Sequence, residues 1–204
     1  MEQALAYAAG RYARGRLLDV GCGSKPWSAL FAPHVSEHIG VDHVDSKRLP
    51  GSVDVIAGAY DIPLADGHAD TVLMSAVLEH LERPARALAE AHRLLAPGGH
   101  LILTAPLFWP LHEQPRDFFR YTPHGFRFLL EEAGFEILEI VPLSGVWTTI
   151  SLELSYALRR YRRGPLTPVI DGLTIAAQWL AARWEQVDFQ AKFSWSHLVV
   201  ALRP

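Results

Sequence analysis

Arg16-Leu17-Leu18-Asp19-Val20-Gly21-Cys22-Gly23 decides the fold. A short apolar run ends in two glycines one residue apart, and residues 24–31 behind it read as the opening of a helix. Glycines at such a point let the backbone turn tightly and let a ligand approach the main chain. A second run, Glu37-His38-Ile39-Gly40-Val41-Asp42, closes on a carboxylate 21 residues beyond Gly21. A strand, a glycine turn and an acid at the end of the next strand suit a fold that grips the ribose of a nucleoside.

Working outward, apolar runs recur at 53–57, 70–75, 99–104, 135–141 and 197–202. Helical patterns fill the gaps. Residues 84–95 put Leu88, Ala91 and Leu95 on one face, with Arg86, Glu90 and Arg93 outside it. Pro84 opens that helix and Pro97-Gly98-Gly99 stops it. Residues 122–133 form another, ended by Gly134. Strands alternating with helices predict an α/β, doubly wound, mostly parallel sheet covered on both faces.

Composition narrows the function. Half of the 204 residues are hydrophobic and a fifth are charged, as in a folded soluble protein. The lone cysteine, Cys22, excludes an internal disulfide and any multi-cysteine zinc site. A net charge of −3 supplies no field for nucleic acid. That charge is unevenly spread: residues 1–142 balance to −6, residues 143–204 to +3. The first sixteen residues lack a signal-peptide pattern, and the weakly charged stretch 166–182 is short of a spanning helix, so a cytoplasmic protein is expected.

The loop chooses among nucleosides. A dinucleotide fingerprint needs a third glycine three residues after Gly23, and Pro26 stands there, which disfavours a nicotinamide oxidoreductase. Asp19 disfavours phosphate and suits a cationic ligand. Leu17-Leu18-Asp19-Val20-Gly21-Cys22-Gly23, Gly40-Val41-Asp42, Asp61-Ile62-Pro63-Leu64, Val77-Leu78-Glu79-His80 and Arg93-Leu94-Leu95-Ala96-Pro97-Gly98-Gly99, in that order, resemble the class I S-adenosylmethionine-dependent methyltransferases, the type-11-like family in particular. The resemblance runs from about Leu17 to Phe135. It implies a seven-stranded sheet with an antiparallel last strand and S-adenosyl-L-methionine as cofactor. It also implies that Asp19, Gly21 and Gly23 border the methionine part and that Asp42 accepts from the ribose hydroxyls. Asp61 would take the adenine amine, Ile62 the ring, and Ser75 and Ala76 would line the methionine side. Cys22 reads as a small residue packed under the loop rather than a nucleophile.

Methyl transfer is a displacement at carbon in which positioning supplies much of the rate, and a hydroxyl acceptor also wants a base. His112 is the first candidate and His80 the second. His112 lies in a long, rich segment after the fifth strand, 106–122, where Trp109, Asp117, Arg120 and Tyr121 are candidate walls of an acceptor pocket. The pattern His-x-x-Pro-x-Asp-Phe-x-Arg-Tyr-Thr resembles a methyltransferase subgroup tied to sugar, glycan or secondary-metabolite pathways. A structural reading coexists: an Asp117–Arg120 ion pair, with Thr122 capping the next helix. His34 and His38 read as surface or loop residues, and no metal site is expected.

The chain reads as one methyltransferase domain, 1–204, with residues 144–193 inserted as two helical segments, 147–163 and 169–185, before the last strand. The insertion fits three roles: a cap on the active site, a homodimer face, or a contact with anionic membrane through Arg159, Arg160, Arg162 and Arg163. The leading function is an S-adenosylmethionine-dependent methyltransferase acting on a small molecule or a glycan- or lipid-linked intermediate. The alternative is a cofactor-binding subunit without chemistry of its own.

Overall fold

The computed structural model describes residues 1–46 and 51–204. They form two compact units: residues 1–106, 113–141 and 197–204 make the first, and 107–112 with 142–196 the second.

The first unit is built on the sheet, whose strand order is β3-β2-β1-β4-β5-β7-β6. The strands are β1 (Arg16–Val20), β2 (Glu37–Asp42), β3 (Val55–Ile56), β4 (Ala69–Ser75), β5 (Leu95–Pro106), β6 (Glu136–Pro142) and β7 (Ser196–Leu202). β1 pairs in parallel with β2 and β4, β2 with β3, and β4 with β5. β7 runs against β5: the amide of Gly98, near the start of β5, donates to Arg203, and that of Leu107, past its end, donates to Trp195. The order reverses direction between β1 and β4, and ligands bind beyond the carboxyl ends of strands at such a switch point.

Central strands buried on both faces read as unbroken apolar runs. Leu17, Leu18, Val72, Leu73, Leu101, Ile102 and Leu103 are all fully buried. Helices α1 (Glu2–Tyr12), α2 (Ser28–Phe31), α3 (Pro84–Leu94) and α4 (Pro123–Glu132) complete the unit. α3 packs Ala87, Leu88, Ala91 and Leu94 inward, and Thr122 caps α4 by accepting from the amide of Gly125 at 3.0 Å.

Several boundaries differ from those the sequence suggests. α3 ends at Leu94, and Pro97-Gly98-Gly99 lies inside β5 rather than stopping the helix. There the ladder jumps from Ala69↔Leu95 to Thr71↔His100, a bulge of the kind glycine permits. A Cβ on Gly99 would sit 2.8 Å from the carbonyl of Ala96. Glu90 is not on the solvent side of α3. It is nearly buried and accepts from the amide of Ile62 at 2.7 Å. The helix after the glycine loop starts only at Ser28, because Pro26 and the positive φ of Lys25 hold residues 22–27 in turns. α1, on which the sequence reading made no assignment, buries Leu5, Ala8 and Ala9, a helical spacing.

The second unit is helical. α5 (Val146–Leu158) and α6 (Thr167–Glu185) pack on each other and are joined by short 3₁₀ turns at Arg159–Tyr161 and Gly164–Leu166. Glu185 accepts from the amides of Gly145 and Thr148 at 2.6 and 2.7 Å, satisfying orphan donors at the start of α5. Among the described residues no helix is long and apolar enough to cross a membrane.

Candidate functional site

At the carboxyl end of β1 the chain turns through Gly21 and Gly23, both with positive φ, 71° and 53°. The turn is tied to β2 by three consecutive backbone donors. Gly21 and Cys22 donate to the Val41 carbonyl at 2.8 and 3.1 Å, and Gly23 donates to Asp42 Oδ2 at 2.9 Å. These are the N–H groups that would cradle a pyrophosphate in a dinucleotide site, and here they are spent on the protein itself. The loop therefore favours a ligand without phosphate.

Asp42 is the hub. Its other oxygen, Oδ1, accepts from the amide of His43 at 2.8 Å. Each carboxylate oxygen has two lone pairs, so a pair on each remains for a diol. Gly40 makes the neighbourhood tight: a Cβ there would sit 2.4 Å from Lys25 Cε, 2.7 Å from Cys22 Sγ and 2.8 Å from the Ser52 carbonyl. Cys22 is buried, and burial, with Asp19 and Asp42 nearby, pushes its thiol up to about 12. It is a packing residue.

Asp19 is buried at the end of β1, its carboxylate 3.0 Å from His38 Nε2. His38 is thus a strand residue paired with an acid, not the surface or loop residue its sequence suggests. Ser75 Oγ accepts from Trp27 Nε1 at 3.1 Å and lies 3.3 Å from Thr104 Oγ1. Ala76 is held in the left-handed region, φ 54°, by its amide's bond to the Thr104 carbonyl at 3.0 Å. A strained non-glycine residue at a strand end is the kind of outlier that marks a functional segment. A Cβ on Gly21 would meet Val77 Cγ2 at 2.5 Å, so the loops after β1 and β4 close on each other only because Gly21 has none. Asp61 is exposed; Ile62 is buried, and its carbonyl and amide are held by Arg93 and Glu90.

Elsewhere in the first unit, residues 113–121 hang on the turn Leu78–His80. The amides of Phe118 and Phe119 donate to the Glu79 carbonyl at 2.9 and 3.3 Å. His80 Nδ1 donates to the Arg116 carbonyl at 2.5 Å. Asp117 and Arg120 form the anticipated ion pair, two bonds of 2.6 and 2.9 Å with the Asp117 carboxylate almost wholly buried. Tyr121 is placed in the core rather than along an open wall. It stacks on Phe126, and its hydroxyl donates to the Leu78 carbonyl at 3.0 Å.

Glu79, not singled out as a site residue in the sequence, is the unusual group. Its carboxyl is 1% exposed, Oε2 has no hydrogen-bond partner among the described residues, and burial raises it to about 7. Its Oε1 lies 3.9 Å from His80 Nε2. Only its place beside a candidate base could have pointed to it.

Trp109 and His112 belong to the second unit. Trp109 packs between Trp195 and Tyr156, centroids 5.3 and 5.9 Å away, and lines a cavity of about 410 Å³ with Leu152, Ala182 and Trp195. His112 Nδ1 donates to the Pro110 carbonyl at 3.2 Å, the same tautomer as His80.

A family model described as a methyltransferase domain matches residues 1–140. The chain belongs to that family, within the class I S-adenosylmethionine-dependent methyltransferases. A probable S-adenosylmethionine-dependent methyltransferase of Mycolicibacterium smegmatis is 32% identical over 134 residues, 59% of this chain and 52% of that protein. The ubiquinone/menaquinone biosynthesis C-methyltransferase UbiE of Methylobacterium nodulans is 29% identical over 174 residues, 64% of this chain and 69% of that one. This chain spans 46% and 52% of the first two curated relatives it matches, about half their length. The solved structure of the cyclase SpnF superimposes with a TM-score of 0.66 at 21% identity, over all of this chain and 80% of that one. That likeness speaks for the fold alone.

Proposed function

We propose that this protein transfers a methyl group from S-adenosyl-L-methionine to a small molecule or a glycan- or lipid-linked acceptor. The observation that carries the reading is the Gly21–Cys22–Gly23 turn, whose backbone donors are consumed by β2 while Asp42 keeps a lone pair on each oxygen. That arrangement suits a ribose diol attached to a group without phosphate. Asp42 holds the two ribose hydroxyls; a charge-assisted bidentate pair is the strong form of this contact. Asp61 takes the adenine amine and Ile62 the ring. Asp19, Gly21, Gly23, Ser75 and Ala76 border the methionine part, where the buried charge of Asp19 suits a cation.

The bound cofactor supplies an electrophilic methyl on a sulfonium. The chain's own part is to hold and deprotonate the acceptor. His112 is the proposed base and His80 the second. Both rings give Nδ1–H to a backbone carbonyl, so each would take a proton at Nε2. Asp117 and Arg120 fix the loop that follows, and Trp109 offers an apolar wall to the acceptor.

Calorimetry with S-adenosylhomocysteine tests the cofactor half. Binding is expected, and Asp42→Ala weakens it by roughly a hundredfold, as loss of a charge-assisted bidentate contact would. No heat at high protein concentration refutes the reading. For the acceptor half, pooled metabolites are screened with labelled cofactor. His112→Ala and His80→Ala are then compared for turnover and cofactor affinity, and a base loses turnover alone.

A further inference from the structure

The second unit carries a surface that methyl transfer does not use. The packed side of α6 faces α5: Ala181 is buried, Gln178 Nε2 donates to Ser155 Oγ at 3.1 Å, and Glu185 caps α5. Val169, Leu173, Leu180 and Trp184 lie on another face, at whose end the Trp184 ring meets the Trp147 ring of α5 edge-on at 6.2 Å. Spacings of four, seven and four residues place all four within an arc of about 60°. Each is more than half exposed. Asp171 and Glu185 fall on the far side of the helix, so the stripe is uncharged. Trp179 beside it is also exposed, with the Arg183 guanidinium 5.9 Å from its ring. Soluble proteins seldom leave contiguous apolar area in water without a partner for it.

The charge in the turns that lead into α6 says what that partner is. Arg159, Arg160, Arg162 and Arg163 precede α6 with no acid among them. Arg162 is paired with Asp171 at 2.6 Å, and Arg160 sits over Tyr161. Cations suit the end of α5 but oppose the dipole at the start of α6, so helix stability alone does not account for the block. A second copy matched stripe to stripe would set its own second unit, which has no acidic block, against the arginines. Residues 143–204 hold four acids against seven bases. Asp171 is spent on Arg162, Glu185 on α5 and Asp188 on Trp147.

We propose that α6 and the arginine block dock this protein on the surface of an anionic lipid bilayer. The stripe enters the headgroup–acyl boundary, Trp184 and Trp179 sit at interfacial depth, and the arginines meet lipid phosphates. The helix lies on the membrane and does not cross it.

The test is sedimentation of the full chain with vesicles of phosphatidylcholine alone and of phosphatidylcholine with phosphatidylglycerol in equal parts. Partition is expected to be at least roughly tenfold higher on the anionic vesicles and to fall with salt. Tryptophan emission should shift to the blue. Replacing Arg159, Arg160 and Arg163 by glutamine lowers partition by up to about a hundredfold, at roughly fivefold per arginine. Leu173→Glu with Leu180→Glu abolishes it, with circular dichroism unchanged. The proposal fails if the protein prefers neither vesicle, or if the Leu173→Glu/Leu180→Glu variant binds as the parent does. It fails equally if light scattering shows a dimer that this variant dissociates while vesicles capture nothing, which would make a second copy the occupant.

Discussion

Glu79→Gln isolates the buried carboxyl at the centre of the first unit. In the unfolded chain Glu79 titrates near 4.5; in the fold, burial moves it to about 7, Asp117 and Glu113 push the same way, and Arg120 opposes them. A folded value above the unfolded one means that the native state binds the proton more tightly. Below pH 4.5 both states hold it and nothing is lost. Between 4.5 and 7 the unfolded chain gives it up first, so stability falls as pH rises, and above 7 the loss is complete. At roughly 1.4 kcal/mol per pH unit the span is on the order of 3 kcal/mol. Glutamine keeps the shape and stays neutral throughout. Urea unfolding of parent and variant at pH 4.5 and pH 8 checks this, because comparing the two cancels every other titrating group. The variant should be close to the parent at pH 4.5 and more stable by about 3 kcal/mol at pH 8. A gap that does not change with pH would refute the reasoning: Glu79 would then titrate in the fold as it does in the unfolded chain.

Other consequences are equally direct. Gly40→Ala puts a Cβ against Lys25, Cys22 and the Ser52 backbone; it should cost about 1–3 kcal/mol in urea unfolding and weaken S-adenosylhomocysteine binding in calorimetry. Cys22, with its thiol pushed up to about 12, should resist a thiol reagent at pH 8 in the folded protein and react at once in urea. Arg93→Met removes the cation that holds Glu90, Asp66 and the carbonyls of Ile62 and Leu64. A loss of about 3 kcal/mol is expected, with poorer cofactor binding because Ile62 is released. The Arg93 bond keeps Glu90 below its ordinary value. That stability is present above about pH 4.5 and lost as pH falls further, so parent and variant should converge in acid.

The central strands β1, β4 and β5 were legible because they are buried on both faces and must be largely apolar. β1 and β2 lie where their residues say, and Thr122 caps α4 as its type predicts. Less legible was whatever depends on contacts distant in sequence. Glu90 has the spacing of a solvent residue, and only the amide of Ile62, 28 residues away, makes it an inward one. Pro97-Gly98-Gly99 looks like a stop signal, yet the glycines serve a bulge whose register is set by β4. Tyr121 reads as a pocket aromatic because its neighbours are polar and aromatic; its hydroxyl is claimed by a carbonyl 43 residues earlier. The insertion was legible as two helices, with Leu173, Ala177, Leu180 and Trp184 at helical spacing on the second; that Leu173, Leu180 and Trp184 stay exposed was not.

The candidate site also explains why so few of its residues are chemically distinctive. The loops after β1, β2 and β4 define one another through main chain: Gly23 donates to Asp42, Gly21 and Cys22 donate to Val41, and the bare Cα of Gly21 admits Val77. Two residues past Val77, the carbonyl of Glu79 accepts from Phe118 and Phe119 and so fixes the segment that carries Asp117 and Arg120. One short turn therefore borders the loop after β1 on one side and anchors residues 116–119 on the other. A change in the turn 76–80 should disturb cofactor affinity and acceptor positioning together. Breaking the Asp117–Arg120 ion pair should lower turnover more than it lowers S-adenosylhomocysteine affinity in calorimetry, because the pair lies outside the loops after β1 and β2.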